Sequence, residues 1–357
     1  MLEQHFPVLA ETIVDNFVLL LAGLGLLVKG SGLFVQAASN SARRLGVSEL
    51  VIGLTLVAIG TSLPELVSAI IASSRGESDL ALGNVVGANI TNITLVVGGA
   101  AALRTIPIAR EMLERDGYLA LVAAALLALF AFDNTVSRLE GVGFLLLFVA
   151  YTIFLIKTSQ AYESAYHIRD FARYFFKFRY LTDTASAVGR SLRQAAAEKE
   201  TTEQAVSASF DWRNALLMAL GVGLIALGGN MLVDEAVFFA GHFELPVTLV
   251  GVVLALGTTA PEMSVSLAAA RSGMGGMIIG NAIGSVLCNT FLIVGVASVI
   301  SPIAVTVLAR NYALPFLLGV TVVMLVFKKS GFEIRRMEGI GLCLLYLVFI
   351  VCYGVLA

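Results

Sequence analysis

The stretch Gly60-Thr-Ser-Leu-Pro-Glu65 lies in the middle of an apolar segment, and a close copy, Gly257-Thr-Thr-Ala-Pro-Glu262, follows 197 residues later in an equally apolar setting. Each copy places a carboxylate beside a proline and hydroxyl side chains. A carboxylate near the centre of a bilayer costs about 2.5 to 3.5 kcal/mol on insertion scales. Two acids at matched positions therefore need a compensating partner, and this chemistry favours a bound cation.

The composition is that of an integral membrane protein. Of the 357 residues, 58% are hydrophobic and 13% are charged, and the mean hydropathy is +0.90. A water-soluble globular domain of this size does not have such values. The apolar runs long enough to cross about 30 Å of hydrocarbon lie near 17–40, 50–74, 79–101, 117–132, 141–157, 214–240, 246–271, 276–301, 312–327 and 338–356. The predicted fold class is all-α, a polytopic membrane protein with ten transmembrane helices.

The basic residues predict how the chain is oriented. With an extracytoplasmic N-terminus, the cytoplasmic loops hold 19 of the 23 lysines and arginines, as the positive-inside rule requires. Both termini are then extracytoplasmic, and the expected location is the cell membrane, as a multi-pass protein of a prokaryotic plasma membrane. The first 16 residues lack a basic n-region, so we interpret them as mature sequence and not as a cleaved signal peptide.

The two halves of the chain are related copies. Gly30-Ser-Gly-Leu-Phe-Val35 aligns with Gly228-Gly-Asn-Met-Leu-Val233, and Gly83-Asn-Val-Val-Gly87 aligns with Gly280-Asn-Ala-Ile-Gly284. The offset between the copies is 198 residues in the first pair and 197 in the second. Each copy holds five predicted helices. Because five is odd, the second copy enters the membrane from the opposite side, which predicts two inverted five-helix repeats.

This duplication predicts three regions: a first five-helix repeat at 1–157, a cytoplasmic linker at 158–212 and a second five-helix repeat at 213–357. The first part of the linker, Tyr162 to Leu181, interleaves aromatic and basic side chains. That pattern favours a helix lying in the lipid headgroup region. An ordinary solvated linker is the alternative.

Each copy directs oxygen atoms to one place. Four residues separate Thr61 from Glu65, and Thr258 from Glu262, so on a helix each hydroxyl shares a face with a carboxylate. The proline before each acid frees the carbonyl four residues earlier and breaks the helix. Carbonyls freed at membrane depth need partners, which a cation, neighbouring hydroxyls or water can supply.

The helices that follow carry polar stripes, which are Asn84, Ala88 and Asn92 in the first half and Asn281, Ser285 and Asn289 in the second. For Asn84 and Asn281, interhelical hydrogen bonding is an equally good interpretation. A set of oxygen ligands without imidazole or thiolate suits calcium, sodium or magnesium and not zinc or copper. Calcium fits best among the divalent ions because it accepts six to eight ligands in irregular geometry. We interpret the three cysteines, one of which is Cys288, as small apolar filler.

The two acidic stretches resemble the signature repeats of the calcium/cation antiporter superfamily, specifically its sodium/calcium exchanger branch. The resemblance is close over roughly 51–101 and 248–300. It implies a secondary active antiporter that exchanges sodium for calcium by alternating access at a shared midplane cation site. The expected partners are calcium and sodium ions and the lipid bilayer, with no nucleic acid, no cofactor and no enzymatic activity, and the expected functional unit is a monomer.

The resemblance also implies the ion ligands. Those of the central calcium site are Glu65, Glu262, Thr61 and Thr258, and those of the surrounding sodium or water sites are Ser62, Thr259, Ser285, Asn92, Asn289 and the backbone carbonyls of Ala58 and Ala255. The chain departs from the family pattern at three positions. Ala88 replaces a usual serine, Asn289 is neutral where many members have an acid, and Thr259 replaces a more common serine. The first departure puts one peripheral sodium site in doubt.

Three other functions compete with this prediction. A proton/calcium (cation/proton) antiporter of the same fold is the nearest alternative, because a buried glutamate can carry a proton and Ala88 weakens sodium ligation. A channel is disfavoured by the doubly acidic buried site within an inverted repeat. An intramembrane enzyme is disfavoured because the sequence has no GxSxG, no HExxH and no histidine near either glutamate.

Overall fold

The computed structural model describes residues 6–44, 58–110, 112–160, 167–181, 183, 212–327 and 331–357. The helices of the first half are α1 (Phe6–Arg44), α2 (Ala58–Thr61), α3 (Leu63–Ser74), α4 (Ser78–Thr91), α5 (Val97–Leu103), α6 (Tyr118–Phe130) and α7 (Arg138–Gln160), followed by the linker helix α8 (Ile168–Phe176). Those of the second half are α9 (Trp212–His242), α10 (Val247–Thr258), α11 (Ala260–Arg271), α12 (Gly275–Leu287), α13 (Val294–Ile300), α14 (Leu314–Val326) and α15 (Arg336–Leu356).

Shorter elements join these helices. The π-helical segments are Asn92–Val96, Met112–Gly117, Cys288–Ile293 and Ala309–Ala313, and Ala131–Asp133 is a 3-10 turn. Two-residue strands form two small antiparallel pairs, which are β1 (Ile106–Pro107) with β4 (Glu333–Ile334) and β2 (Thr135–Val136) with β3 (Ile303–Ala304). These strands are the only departure from helix among the regular elements of the described residues.

The all-α, polytopic fold class is confirmed. Nine helical segments among the described residues are long and apolar enough to span a membrane. The apolar helix α3 has 12 residues, and residues 45–57, which precede α2 and α3 and complete the predicted span, lie outside the described part of the chain. The count of ten spans therefore stays a prediction, as do the domain boundaries.

Two predicted spans begin earlier than their hydropathy indicated. The span predicted at 117–132 starts at Met112, and that predicted at 312–327 starts at Ala309, each with a π-helical turn. The first turn contains charged residues, which masked it in the sequence. Partners in the fold satisfy those charges: Arg110 donates to Glu114 at 3.2 Å, and Asp116 accepts from the Tyr151 hydroxyl at 3.1 Å.

The two halves pack through contacts that come in exchanged pairs. A Cβ at Gly30 would lie 2.8 Å from the carbonyl oxygen of Gly221, and one at Gly228 would lie 2.5 Å from that of Gly23. From Gly23 to Gly30 along α1 the facing residue on α9 changes from Gly228 to Gly221, so the two helices run antiparallel. With the offset of 198 residues taken from the sequence, exchanging the halves converts one contact into the other. Bare glycine faces permit this close backbone approach.

The same exchange relates the outer helices. Gly98 of α5 meets Gly339 of α15, and Gly295 of α13 meets Gly141 of α7, with each added Cβ 2.7–3.1 Å from the facing carbonyl oxygen. These contacts agree with a twofold relation between the halves, and the inverted-repeat arrangement stays a prediction. The orientation of each half relative to a membrane stays a prediction.

The bundle has two distinct ends. We call the end at which α1 finishes (Arg44) and α9 begins (Trp212) the linker end, because residues 158–212 connect the halves there. The opposite end, with Arg75 and His242, is the far end. The β1–β4 pair lies at the linker end and the β2–β3 pair at the far end. The breaks between α2 and α3 and between α10 and α11 lie between the two ends.

The predicted interfacial helix at 162–181 is partly described. The described part contains the helix α8, which packs on α7 through buried aromatic rings. The Phe171 ring lies 5.6 Å from the Phe154 ring and 6.1 Å from the Tyr151 ring. The rest of the linker lies outside the described residues apart from a few positions, and the membrane contact of this segment stays a prediction.

Candidate cation site

Both repeated stretches break a helix, as the prolines predict. Helix α2 ends at Thr61, and α3 begins at Leu63 with Pro64 as its second residue. In the second half α10 ends at Thr258, and α11 begins at Ala260. A proline is tolerated in a first helical turn because its missing N–H would have no intrahelical partner there. Each acid consequently lies in the first turn of a helix, where the dipole stabilises negative charge.

The two glutamates come together in the interior of the bundle. Glu65 is 0% exposed and Glu262 is 1% exposed. The Glu262 Oε1 atom accepts from the Ser62 hydroxyl at 3.5 Å and from the Ser285 hydroxyl at 3.5 Å. Because Ser62 belongs to the first half and Ser285 to the second, both halves converge on one carboxylate. The predicted role of Ser62 in a neighbouring sodium or water site stays a prediction.

The threonines contact the acid of the opposite half. The hydroxyl of Thr61 lies beside Glu262, and that of Thr258 lies beside Glu65. The Thr258 hydroxyl makes its hydrogen bonds to Asn84 and to the Ala255 carbonyl, so Glu65 is left without one. From spacing alone we predicted that each threonine points to the same place as the glutamate of its own stretch. In the structure each threonine also lies beside the glutamate of the other stretch. One stretch alone supplies only part of each carboxylate's surroundings.

Several buried polar atoms around the acids have no protein partner. Both oxygens of Glu65, the Oε2 atom of Glu262, and the side-chain oxygen and nitrogen of Asn92 and of Asn289 make no hydrogen bond. Each of these side chains is at most 1% exposed. Buried polar groups in folded proteins are almost always paired, and at membrane depth no solvent replaces the missing partners. Unpaired acceptor oxygens of this kind are the ligands that calcium and sodium prefer.

The two asparagines belong to π-helical turns that the sequence did not predict. Asn92 begins the turn Asn92–Val96, and Asn289 is the second residue of the turn Cys288–Ile293. The first turn packs against α11, which carries Glu262, and the second packs against α3, which carries Glu65. A π-turn rotates the residues after it away from the α-helical stripe. The only sequence signal for these turns is the matched pair of asparagines.

Asn84 and Asn281 hold the broken helices in place. Asn84 donates to the Ser68 hydroxyl at 3.0 Å and accepts from the Thr258 hydroxyl at 3.1 Å. Asn281 donates to the Ser266 hydroxyl at 3.3 Å and to the backbone carbonyl of Glu262 at 3.4 Å. These contacts agree with the hydrogen-bonding interpretation of both asparagines. Ser68 and Ser266 were not predicted as part of the site, because the sequence marks them only by their position one turn after each acid.

The predicted carbonyl ligands are less accessible than the side chains. The Ala255 carbonyl accepts from the Thr259 hydroxyl at 2.6 Å and from the Thr258 hydroxyl at 3.4 Å. It also accepts the backbone N–H of Thr259 at 3.0 Å. In this structure the Ala255 oxygen is therefore saturated by the chain itself. Its counterpart Ala58 starts α2 next to residues outside the described part of the chain.

Two small residues complete the surroundings of the site. Ala88 is fully buried and presents a methyl group at the position corresponding to Ser285. Cys288, interpreted from the sequence as apolar filler, instead places its buried thiol beside the Ser62 hydroxyl. The part of the chain that the structure describes contains no cluster of three histidine, cysteine or acidic side chains arranged for a metal ion. Hydroxyl and amide oxygens would complete the coordination of any cation held here.

A cavity of about 610 Å³ leads to the site from the linker end. It lies between the second half of α1 and the start of α11, and it reaches Thr61. Its polar lining residues are Ser31, Gln36, Ser39, Asn40, Thr61 and Ser264. On the opposite side, α9 is closed against α3, since a Cβ at Gly229 would lie 2.7 Å from Ile71 and 3.1 Å from Val67. Among the described residues, the cavity therefore reaches the helix break at Thr61 from the side of α1 and α11, while α3 and α9 are packed together.

The fold and this geometry define a multi-pass membrane protein with an acidic, oxygen-lined site at the breaks of two helices. The family model described as sodium/calcium exchanger protein matches residues 16–157 and 213–354. The sodium/calcium exchanger MaX1 of Methanosarcina acetivorans is 40% identical over 345 residues, covering 95% of this chain and 98% of that protein. The chain belongs to the sodium/calcium exchanger family, which confirms the resemblance seen in the sequence.

Other relatives agree with this assignment. The putative antiporter CaxA of Alkalimonas amylolytica is 30% identical over 334 residues, covering 93% of this chain and 96% of that protein. A structure of the sodium-calcium exchanger NCX_Mj, soaked with 10 mM Na+ and 10 mM Sr2+, is 27% identical with a TM-score of 0.59, and the match covers 95% of this chain and 98% of that one. The protein is accordingly a membrane antiporter of the cation/calcium type and belongs to a family of transporters, not of enzymes.

Proposed function

We propose that this chain exchanges sodium for calcium at the site formed by Glu65 and Glu262. The observation that carries the proposal is the set of buried, unpaired oxygen atoms contributed by both halves. A structural role for these acids predicts hydrogen-bonded carboxylates, whereas both Glu65 oxygens lack a partner. In the assignment we propose, Glu65, Glu262, Thr61 and Thr258 hold calcium. Ser62, Ser285, Thr259, Asn92 and Asn289 serve sodium or water, and the Ala58 and Ala255 carbonyls join them when the helix breaks rearrange.

Antiport follows if both ions use the same two carboxylates. Two ionised glutamates neutralise one calcium or two sodium ions, so one kind of occupant excludes the other. If only an occupied site changes the side it faces, the flux of one ion is tied to that of the other. A third sodium ion per calcium would move one net charge, which a membrane potential biases by about 2.3 kcal/mol per 100 mV.

The positive-inside distribution of basic residues supports placing the linker end in the cytoplasm. In that orientation the cavity at Thr61 faces the cytoplasm, and both termini face outward, as a multi-pass protein of the plasma membrane. The ions and the bilayer are the partners of this proposal, with the monomer as the working unit and no cofactor.

Coupling to protons is the second candidate, and Ala88 is the residue that favours it. The methyl group of Ala88 removes a hydroxyl that the second half retains in Ser285, and the buried acids are able to carry protons. Ser62, Ser285 and Thr61 nevertheless still supply hydroxyl oxygens around Glu262. These oxygens support sodium as the coupling ion.

The deciding experiment loads proteoliposomes with calcium-45 and applies sodium, proton or potassium gradients in turn. Calcium release driven by sodium alone is the expected result, and release driven by the proton gradient alone would establish the second candidate. Glu65→Gln and Glu262→Gln are each expected to abolish exchange. Glu235→Gln is the matched control, because Glu235 is also buried with one unpaired oxygen but lies on α9 outside the proposed ligand set. Sodium-driven exchange retained in both site variants would disprove the assignment.

A further inference from the structure

The far end of the bundle is closed by one continuous stripe of α3. Val67, Ile71 and Arg75 follow at intervals of four residues and therefore lie on one helical face. Val67 and Ile71 pack on Gly229 of α9. Above them the guanidinium of Arg75 donates to the side chains of both Asn230 and Asp234. Because Glu65 lies on the same helix, this contact ties the helix of the site directly to α9.

The matching stripe at the linker end has a different composition. With the offset of 197, Val67, Ile71 and Arg75 correspond to Ser264 and Ala268 of α11 and to Ser272, which follows it. With the offset of 198, Gly229, Asn230 and Asp234 correspond to Ser31, Gly32 and Gln36 of α1. The linker-end stripe thus has neither the apolar pair nor the charged pair.

The open cavity lies at this second stripe. Ser264 lines it from α11, while Ser31, Gly32 and Gln36 line it from α1. The two ends of a duplicated chain therefore differ in the residues that hold helices together, and in the part of the chain that the structure describes the cavity lies at the end without the ionic contact. The end with the apolar and charged contacts is the packed one, and the end without them holds the cavity.

We propose that Arg75, Asn230 and Asp234 form a latch that holds the far end closed and biases the transporter toward the conformation open at the linker end. Arg75 is a positioning residue in this proposal, since it touches no ion. The α3 C-terminus reinforces the latch: the Arg75 N–H caps the helix through the Ile71 and Ala72 carbonyls, and a cation there is stabilised by the helix dipole. The proposal rests on the proposed exchange function, because it concerns the side that the site faces.

The effect of the latch is expected to be moderate. The side chains of Arg75 and Asp234 are 36% and 61% exposed, and exposed ion pairs contribute little each. Removing the pair should therefore shift the ratio of the two conformations by about two- to fivefold. The arginine fork reaches two acceptors at once, which a lysine ammonium does not reproduce. Arg75→Lys should accordingly give a smaller shift than Arg75→Ala.

Two matched cysteine reporters measure the ratio without relying on transport. Ser264→Cys reports access from the linker end, and its counterpart Val67→Cys reports access from the far end. Each is labelled in proteoliposomes with a membrane-impermeant maleimide added on one side, and the chain without an added cysteine gives the background. Arg75→Ala should slow labelling at residue 264 and speed labelling at residue 67, each by about two- to fivefold.

A double-mutant cycle separates the latch from independent surface effects. Arg75→Ala combined with Asp234→Ala should shift labelling no further than Arg75→Ala alone. Asp234→Ala alone should shift it less, because Arg75 keeps its contact with Asn230. Additive effects, or labelling unchanged in Arg75→Ala, would overturn the proposal. If labelling shifts as expected while no variant or native protein exchanges sodium for calcium, the latch stands and the proposed function fails.

Discussion

Ala88→Ser is the substitution that most directly tests how the two halves share the site. Ala88 is 0% exposed and lies one turn before Asn92. Its counterpart Ser285 donates to Glu262 at 3.5 Å, whereas neither oxygen of Glu65 has a hydrogen-bond partner. By the exchange of halves, a hydroxyl at position 88 would point toward Glu65. It would supply the first half with the oxygen that it lacks.

The magnitude follows from the geometry of the second half. A hydrogen bond to a charged group contributes about 1.5 to 3 kcal/mol, and a contact as long as 3.5 Å belongs at or below the low end. Fitting one more oxygen into a packed site costs part of that gain. A net gain of about 1 kcal/mol for the sodium-loaded protein corresponds to a roughly fivefold lower half-saturating sodium concentration.

The assay is the initial rate of calcium-45 exchange in proteoliposomes as a function of sodium concentration. Ser285→Ala is the matched control and should raise the half-saturating concentration by a similar factor. The reasoning fails if Ser285→Ala weakens sodium dependence while Ala88→Ser leaves it unchanged, because position 88 would then not face the ions. It also fails if Ala88→Ser raises the half-saturating concentration.

Three further predictions concern packing. Gly339→Ala should lower the melting temperature of the purified protein, because its Cβ would lie 2.7 Å from the Gly98 carbonyl oxygen. Overpacking of this kind costs about 1 to 3 kcal/mol. Gly341→Ala is the control and should leave the melting temperature unchanged, because its Cβ would meet nothing within 4 Å. Asn84→Ala should reduce calcium affinity about tenfold in equilibrium binding of calcium-45. The substitution removes the hydrogen bonds that Asn84 makes with Ser68 and with the Thr258 hydroxyl beside Glu65. Unchanged affinity would show that Asn84 contributes to helix packing only. Phe171→Ala should make α8 more susceptible to limited proteolysis by removing its ring contacts with α7, and unchanged digestion would show that α8 is held by other contacts.

Much of the fold was predictable because the membrane imposes simple rules. Hydropathy located the spans, and the repeated Pro64 and Pro261 located the helix breaks, since proline has the same effect on any helix. The duplication predicted that two acids, each incomplete by itself, belong to one site. In each case a local chemical property of a few residues fixes the structural outcome.

What escaped prediction depends on contacts between distant elements. Met112–Gly117 reads as polar, yet Tyr151 from another helix satisfies Asp116 and lets the span extend. The π-turn beginning at Asn92 packs against α11, and apart from the matching Asn289 nothing in the sequence marks it. The contact between Thr61 and Glu262 joins two distant stretches. The spacing within one stretch could not predict it, because that spacing pairs each threonine with its own glutamate.

The two halves match closely at the site but differ in the residues at the two ends of the bundle. If the two halves were identical, a twofold rotation that exchanges them would convert the conformation open at one end into the conformation open at the other, and the two would have equal free energy. The proposed calcium ligands are the same in both halves, since Glu65 corresponds to Glu262 and Thr61 to Thr258. Residues that close the ends are free to differ, and Arg75 against Ser272 is such a difference. A bias of a few tenths to one kcal/mol at an exposed ion pair is enough to favour one resting side while leaving both accessible. An apolar contact much larger than the one that Val67 and Ile71 make with Gly229 would hold the far end closed in every conformation and stop the cycle.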